Sequence, residues 1–308
     1  GCYFVTGSFA CTNNTGTCVS IQECLDAATC GSTINLPENP PPANLRMRIT
    51  KGVTIQRSYS NGNPIPSGSG GLTGFEEGIE IDFSERDCSD NNLSLVGLTI
   101  SAGVSNGDNA LFATASTGSS ISSLTIDDCE LDGSLGSSQR NTNRTTNMTA
   151  FKTASNNVNL QSFTIKNSEI KNFDVGIEYL GNGNEAIHTY GGNGEQNVFE
   201  NIDVNINYPN FDMGSGTISA KFNKWDGLDQ YISEYRYSDP TSPHYDPNDE
   251  VFDRIVIGSL NNSNAEYGIL DEDDFQDNFG PWYYNSNSYT DEQQIPILIT
   301  GSCPDIHG

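Results

Sequence analysis

The sequence predicts an all-β solenoid, because two short strand patterns recur and alternate along the chain. One series comprises GIEIDF (78–83), NALFATAS (109–116), TAFKTAS (149–155) and VGIEYLG (175–181). The other comprises LSLVGLTI (93–100), ISSLTIDDCEL (121–131), LQSFTIKNSEI (160–170) and NVFENIDVNI (197–206). Apolar and polar residues alternate in each segment, as in a strand with one buried face. Repeats that bury this face only against neighbouring repeats form a solenoid. The first-series segments start 31, 40 and 26 residues apart, which predicts coils with loops of different lengths.

The composition agrees with a thin, elongated domain and argues against one class of partner. Only 34% of the 308 residues are apolar, and the 31 glycines, with many Asn and Ser residues, suit frequent tight turns. The chain has 14 Lys and Arg against 40 Asp and Glu, a net charge of −26. Nucleic-acid binding needs a basic surface, so we expect no such partner. An acidic polysaccharide would need divalent cations as a bridge.

The cysteines predict a disulfide-rich N-terminal cap in an oxidising compartment. The chain has eight, and five of them fall in the first 30 residues; they are Cys2, Cys11, Cys18, Cys24, Cys30, Cys88, Cys129 and Cys303. A zinc site is the competing interpretation, but the chain has no CxxC pair and only three histidines. The pairing of the cysteines stays open at this stage.

A short helix and two strands follow the first cysteines. Ser20 and Glu23 form a capping-box pattern, which predicts a helix over about residues 20–29. Its apolar face consists of residues at helical spacing, namely Ile21, Cys24, Leu25 and Ala28. STINLPEN (32–39), a Pro-rich elbow and one strand in LRMRITKGVTIQR (45–57) come next.

This order of helix, strand, LPE turn and strand ending in KGVTIQ resembles the N-terminal entry of the pectate-lyase-like right-handed parallel β-helix superfamily. The resemblance covers the cap and the coils through about residue 206. It implies a right-handed parallel β-helix with a short N-terminal capping helix and a disulfide-rich cap. Residues 1–31 would form the cap and residues 32–308 the β-helix, with long loop insertions at about 58–77, 233–250 and 275–292.

The resemblance also implies a calcium-dependent polysaccharide lyase with an arginine base, but the signature segments of that activity are missing. Neither Trp-Ile-Asp-His nor Arg-x-Pro-x-x-Arg occurs in the chain. Asp127-Asp128 is similar to the paired aspartates of polygalacturonases that share this fold, which act as acid and base on a glycosidic bond. The companion motifs are absent, and adjacent residues of a strand point to opposite faces.

Two further constellations have a structural and a catalytic interpretation. Alternation places Lys152 and Glu178 side by side on the outer face, either as a simple ion pair or with Lys152 as a lyase base or charge neutraliser. His188 and Tyr190 lie in a Gly- and Asn-rich segment, GNGNEAIHTYGGNGE. They form either a His/Tyr pair like that of some polysaccharide lyases or part of an exposed loop.

One acidic and one aromatic segment near the C-terminus are candidate binding sites. In LDEDDFQD, carboxylates offer hard oxygen ligands for calcium, although the spacing is not that of an EF-hand and a solvated acidic turn is the alternative. The candidate ligands are Asp271, Asp273, Asp274 and Asp277, and Glu272 is a fifth carboxylate in the same segment. The aromatic group serves as a sugar platform, a protein interface or a cover for the end of the solenoid. It consists of Phe279, Trp282, Tyr283 and Tyr284.

The sequons and the lack of an apolar spanning segment predict a secreted glycoprotein. N-linked glycans are expected at five Asn-x-Ser/Thr sites, namely Asn13, Asn92, Asn143, Asn147 and Asn261. No stretch is long and apolar enough to span a membrane. Gly1 is interpreted as a processed or truncated start.

We therefore expect a non-catalytic secreted glycoprotein that is a structural or assembly subunit of an extracellular filament or matrix. Its expected partners are copies of itself or other extracellular matrix components, with a polysaccharide as a further candidate. No cofactor is required in this interpretation, and calcium is the one candidate metal. The alternatives are a calcium-dependent polysaccharide lyase of pectate-lyase-like type and a carbohydrate-binding or adhesin module.

Overall fold

A computed structural model describes residues 2–5, 8–13, 16–18, 21–36, 46–57, 75–82, 92–115, 120–139, 146–181, 186–192, 194–210, 217–220, 223–225 and 255–257. At 2–18, 120, 121, 217, 225 and 255–257 the description covers the backbone alone. Within these ranges the chain is mostly parallel β-sheet with one α-helix. None of it forms a helix with the length and apolar character that crossing a membrane requires.

The N-terminal part is a small antiparallel sheet. It contains β1 (Cys2–Val5), β2 (Ser8–Asn13) and β3 (Gly16–Cys18), paired in that order. The register aligns three cysteines across the sheet, Cys2, Cys11 and Cys18. The cap predicted from the cysteines thus contains β-structure as well as a helix.

Helix α1 (Ile21–Ala27) covers the edge of the first large sheet at β5 (Met47–Ile49). The Gln22 amide accepts a 2.9 Å hydrogen bond from the Arg48 backbone N–H and donates one of 2.9 Å to the Arg48 carbonyl. The side chain therefore replaces a neighbouring strand and satisfies an open edge. At the other end of the helix, Lys51 Nζ donates to the Asp26 carbonyl at 2.6 Å. A cation there also suits the negative end of the helix dipole.

The remaining strands form two parallel sheets. The ten-stranded sheet contains β5, β7 (Ile79–Asp82), β9 (Thr99–Ser101), β10 (Asn109–Thr114), β12 (Glu130–Asp132), β13 (Thr149–Thr153), β15 (Glu169–Glu178), β17 (Val198–Tyr208), β19 (Lys224–Trp225) and β20 (Ile255–Ile257). The seven-stranded sheet contains β4 (Thr33–Leu36), β6 (Thr54–Arg57), β8 (Asn92–Val96), β11 (Ser120–Asp127), β14 (Asn159–Lys166), β16 (Ile187–Tyr190) and β18 (Thr217–Ser219).

The chain passes back and forth between the two sheets, and this corrects two sequence-based assignments. LRMRITKGVTIQR was predicted to be one strand, but it forms β5 in one sheet and β6 in the other. NVFENIDVNI was grouped with the second series, but it lies in β17 of the ten-stranded sheet. The strand in its expected place is β16, in the segment interpreted as a loop. Short strands of two to four residues carry too little periodicity to be separated by pattern alone.

The bends between the sheets use one backbone conformation in successive passes. Gly97, Asp128 and Asn167 follow β8, β11 and β14, and their φ angles are 65°, 54° and 51°. Gly, Asp and Asn are the residues that adopt this left-handed region at least cost. Each bend N–H bonds to the next pass, as in the 3.1 Å bond from Asp128 N to the Lys166 carbonyl. The first three second-series segments therefore each cross from the seven-stranded sheet to the ten-stranded one.

The core consists of stacked side chains at equivalent positions of successive strands. In the ten-stranded sheet, the ladder runs through buried Met47, Ile79, Leu111, Phe151, Ile177 and Ile206. In the seven-stranded sheet, it runs through buried Ile34, Ile55, Leu95, Ile126, Ile165 and Tyr190. Each such fully buried side chain contributes about 1.5–3 kcal/mol. These ladders hold the register of the strands, because a one-residue slip would expose them.

Candidate functional site

Charged side chains line the outer face of the ten-stranded sheet, at alternate positions of β5, β7, β13 and β15. Arg48 of β5 contacts both Glu80 and Asp82 of β7. Two strands further along, Lys152 lies opposite Glu178 in the register, with Nζ 2.6 Å from Oε2. The predicted placement of Lys152 and Glu178 is therefore confirmed. Because the ammonium is held by a carboxylate, this geometry is that of an ion pair.

A second charged cluster lies on β12 and the first half of β15. Lys171 Nζ is 2.8 Å from Glu130, 3.0 Å from Glu169 and 4.0 Å from Asp132. Glu130 and Glu169 are register partners, so the lysine offsets the repulsion between two neighbouring carboxylates. Partial burial lowers the pKa of Lys171, but the hydrogen bonds to both glutamates outweigh this and raise it above its ordinary value. Lys171 is thus a fixed cation and not a neutral base.

Inside the protein, His188 and three tyrosines form a connected network. His188 Nε2 lies 2.9 Å from the Leu160 carbonyl and Nδ1 lies 2.8 Å from the Tyr208 hydroxyl. A carbonyl only accepts, so Nε2 carries the proton and Nδ1 accepts from Tyr208. Tyr208 in turn accepts from the Tyr190 hydroxyl. Because the Leu160 carbonyl can only accept, it fixes the direction of all three hydrogen bonds that link it to His188, Tyr208 and Tyr190.

The network replaces a missing piece of strand. The pairing of β14 with β16 begins at Ser162 and Ile187, so Leu160 has no strand partner on that side among the described residues. The Leu160 N–H donates to the Tyr179 hydroxyl at 3.1 Å, and its carbonyl accepts from His188. Burial lowers the pKa of His188 to about 4 and raises that of Tyr179 to about 12, so both are neutral near pH 7.

These positions correct the sequence-based interpretations of His188 and Tyr190. Both were expected in an exposed loop or in a lyase-type pair, but they lie on β16 and are 0% exposed. A substrate outside the sheet has no access to them. Asp127 and Asp128 do not form an acid–base pair either, because Asp128 adopts the bend conformation and Asp127 accepts a 2.9 Å bond from Asn167.

Among the described side chains, two cysteines are disulfide-bonded and one is a free thiol. Cys24 and Cys30 are disulfide-bonded. Cys129 is a free, buried thiol, which corrects the expectation that it joins a disulfide. It occupies the inward position of a bend, where its thiol donates to the Asp127 carbonyl at 3.3 Å. Burial raises its pKa to about 12. The side chains of Cys2, Cys11 and Cys18, and all of Cys88 and Cys303, lie outside the described residues.

The remaining predicted site residues fall partly inside the described ranges. Asn92 and Asn147 are exposed, as glycan attachment requires. The backbone of Asn13 lies in β2, and Asn143 and Asn261 lie outside the described residues. The calcium candidates (Asp271, Asp273, Asp274, Asp277) and the aromatic group (Phe279, Trp282, Tyr283, Tyr284) also lie outside them. Where the structure is described, no cluster of three or more potential metal ligands occurs.

Sequence reasoning missed a polar ladder inside the bends. Ser168 N donates to Asn197 Oδ1 and Asn197 N donates to Asn223 Oδ1, both at 3.0 Å. The two buried amides also donate to carbonyls, as from Asn197 Nδ2 to Ile165 at 2.8 Å. Aligning SEI, NVF and NKW as one repeated position would have revealed it, because each begins with Ser or Asn directly before a strand.

Comparison with known proteins gives no relative. No protein-family model, no curated protein and no solved structure matches the chain.

Proposed function

We propose that this chain is a non-catalytic secreted glycoprotein that serves as a structural or assembly subunit of an extracellular filament or matrix. The observation that carries the proposal is the in-register stacking of parallel strands, in which core and polar residues stack on their equivalents. Such stacking makes a stiff body whose contacts are mostly between adjacent passes. Stiffness and repetition suit a building unit.

The proposed architecture is a right-handed parallel β-helix. Support comes from the repeated return of the chain to each of the two sheets and from left-handed bends at equivalent positions. A second set of bends lies within the longer strands, where Asn172 and Asn201 have φ angles of 62° and 52°. In the pass through β14 and β15, the bends at Asn167 and Asn172 separate three straight segments. Right-handed crossover is the strong preference for parallel strands.

A non-catalytic role is supported by what the reactive side chains contact. Lys152 and Lys171 are held by carboxylates, and His188 is neutral, buried and bonded at both ring nitrogens. A catalytic base needs a free lone pair within reach of substrate. These three groups lack one, and each has an evident part in holding the sheets together.

The test of the structural role is electron microscopy of the native material, combined with mass spectrometry of glycopeptides containing Asn92 and Asn147. Ordered filaments or arrays with glycans at either site are the expected result. Particles that stay monomeric at every concentration would overturn the assembly role. The alternative function, a polysaccharide lyase, is tested by incubating the protein with pectate or alginate and calcium and following the ultraviolet absorbance. We expect the absorbance not to rise.

A further inference from the structure

The outer face of the seven-stranded sheet carries an unbroken ladder of hydroxyl side chains. Each of the seven strands contributes one, and the register makes each the partner of the next. The ladder runs through Thr33, Thr54, Ser94, Thr125, Thr164, Thr189 and Ser219. Parallel strands lie about 4.8 Å apart, so the hydroxyl groups repeat at that interval over roughly 29 Å. We name this surface the hydroxyl face.

The side-chain hydroxyls of this face have no partner within the described part of the chain: none of the seven forms a hydrogen bond or another polar contact there. Thr33 is exposed and the other six residues are half-buried. Their neighbours along each strand point inward and are buried, for example Leu124 and Ile126 beside Thr125. The face is therefore held by the core beneath it and not by contacts among its own hydroxyls. Each hydroxyl has one donor and two acceptor positions to offer.

The hydroxyl ladder is uncharged on a strongly acidic protein. The charges beside it form one small cluster of a base and two acids, in which Lys166 Nζ lies 3.7 Å from Asp127 and 2.8 Å from Glu195. The other adjacent ladder contains Asn92, Ser123, Ser162 and Ile187, the last 60% exposed. Asn92 is also an expected glycan site, so the face is open in chains that carry no glycan there. With a net charge of −26 on the whole chain, an uncharged ligand meets this face without the repulsion that an acidic one would feel.

The dimensions of the face argue against a second copy as its occupant. Three outward ladders at alternate residues span roughly 13 Å, at about 3.3 Å per residue. With a length of roughly 29 Å, the face offers on the order of 400 Å², half of the about 800 Å² per partner of a stable protein interface. A long, narrow and periodic surface suits a single extended polymer chain, which makes the same contact at each strand.

We propose that the hydroxyl face binds an extended, uncharged, hydroxyl-rich polysaccharide lying along the stack of strands. Sugar hydroxyls donate and accept, as Ser and Thr hydroxyls do, so the two surfaces satisfy each other without charge. The threonine methyl groups and Ile187 provide apolar contact for the C–H groups of the sugar rings. This proposal does not depend on assembly, because a monomer presents the same face.

The test compares retention of the full, deglycosylated chain in native gels that contain hydroxyethylcellulose, galactomannan or xylan. The test variant carries Thr125→Val, Thr164→Val and Thr189→Val, which remove three hydroxyls and keep the β-branched shape. Thr114→Val with Ser134→Ala is the control, since both positions lie off this face. Loss of three net hydrogen bonds predicts retention at least about tenfold weaker for the test variant and unchanged for the control.

Three results would overturn the proposal, and a fourth would overturn its charge argument. The first is that none of the three polysaccharides retains the wild-type chain. The second is equal retention of the wild type and the triple variant, with circular dichroism showing that both are folded. The third is a concentration-dependent rise in mass by light scattering that the triple variant abolishes, since this would assign the face to a second copy. Stronger retention by polygalacturonate than by the neutral polymers would likewise refute the charge argument.

Discussion

The buried His188 makes the stability of the protein depend on pH in a defined window. Its pKa is about 4 in the folded chain and 6.5 in the unfolded one. As the pH falls from 6.5 to 4, His188 becomes protonated in the unfolded chain but stays neutral in the folded one, so the folded state loses stability. At 1.36 kcal/mol per pKa unit, the loss amounts to about 3 kcal/mol and is complete below pH 4.

The structural reason lies in the direction of the hydrogen bonds. Nδ1 accepts a hydrogen bond from the Tyr208 hydroxyl. If Nδ1 were protonated, the Nδ1–H and the Tyr208 O–H would both be donors directed at each other, and the hydrogen bond would be lost. The charge would also lie in a site surrounded by aromatic rings, with Phe163 and Tyr179 centroids 5.7 and 4.8 Å away. Both effects favour the neutral ring and oppose protonation.

The assay is urea unfolding followed by circular dichroism at pH 7, 6, 5 and 4, for the wild type and His188→Gln. Glutamine keeps polar atoms near Leu160 and Tyr208 but does not titrate. Carboxylate titration is common to both proteins, so the difference in free energy of unfolding isolates the histidine. We expect the variant to be less stable at pH 7 and the gap to narrow by about 3 kcal/mol at pH 4. Thr189→Val, on the outer side of the same strand, serves as the control. A constant gap across the pH range would refute the reasoning.

Three further predictions concern the charged cluster, the polar ladder and the free thiol. Lys171→Met leaves two adjacent glutamates unneutralised, so the free energy of unfolding should fall by about 1–3 kcal/mol at pH 7 but change little at pH 3. Lys152→Met should lower it by less than about 1 kcal/mol. Urea unfolding measures both. Asn197→Ala orphans a buried N–H and a buried carbonyl, so a loss of about 2–4 kcal/mol in the same assay is expected, and a loss below 0.5 kcal/mol would contradict it. Cys129 should resist a thiol reagent in the native protein and react in denaturant.

Alternation along single strands was enough to place the charged pair. In TAFKTAS and VGIEYLG a period of two sets Lys152 and Glu178 outward, and equal spacing from the buried Phe151 and Ile177 sets them side by side. The helix was also predictable, because Ile21, Cys24 and Leu25 share a face at helical spacing. In these elements the local pattern and the final packing agree.

Elsewhere the pattern was misleading because long-range contacts decide the outcome. His188 and Tyr190 are polar residues between glycines, which is typical of a loop, yet the network around Leu160 makes them core. Cys129 looked like a disulfide partner because cysteines were counted without their positions in the fold. It occupies the place that Asn197 and Asn223 take in later passes, and only the stacking of the bends shows this equivalence.

In-register parallel stacking places each residue against its own equivalent, and this explains the different chemistry of the two outer faces. In a ladder of like charges, each residue would repel the next. Charged residues are therefore stacked where neighbouring signs differ, as with Arg48 and Glu80. Two like charges are stacked where a third group neutralises them, as Lys171 does for Glu130 and Glu169. A ladder of hydroxyls has no such constraint and can be continued over any number of strands. The ten-stranded sheet therefore bears a broken, locally compensated pattern, while the seven-stranded sheet bears a uniform one. A uniform surface is the one that a polymer of identical units can follow from end to end, which is why the hydroxyl face is the better place to look for a periodic ligand.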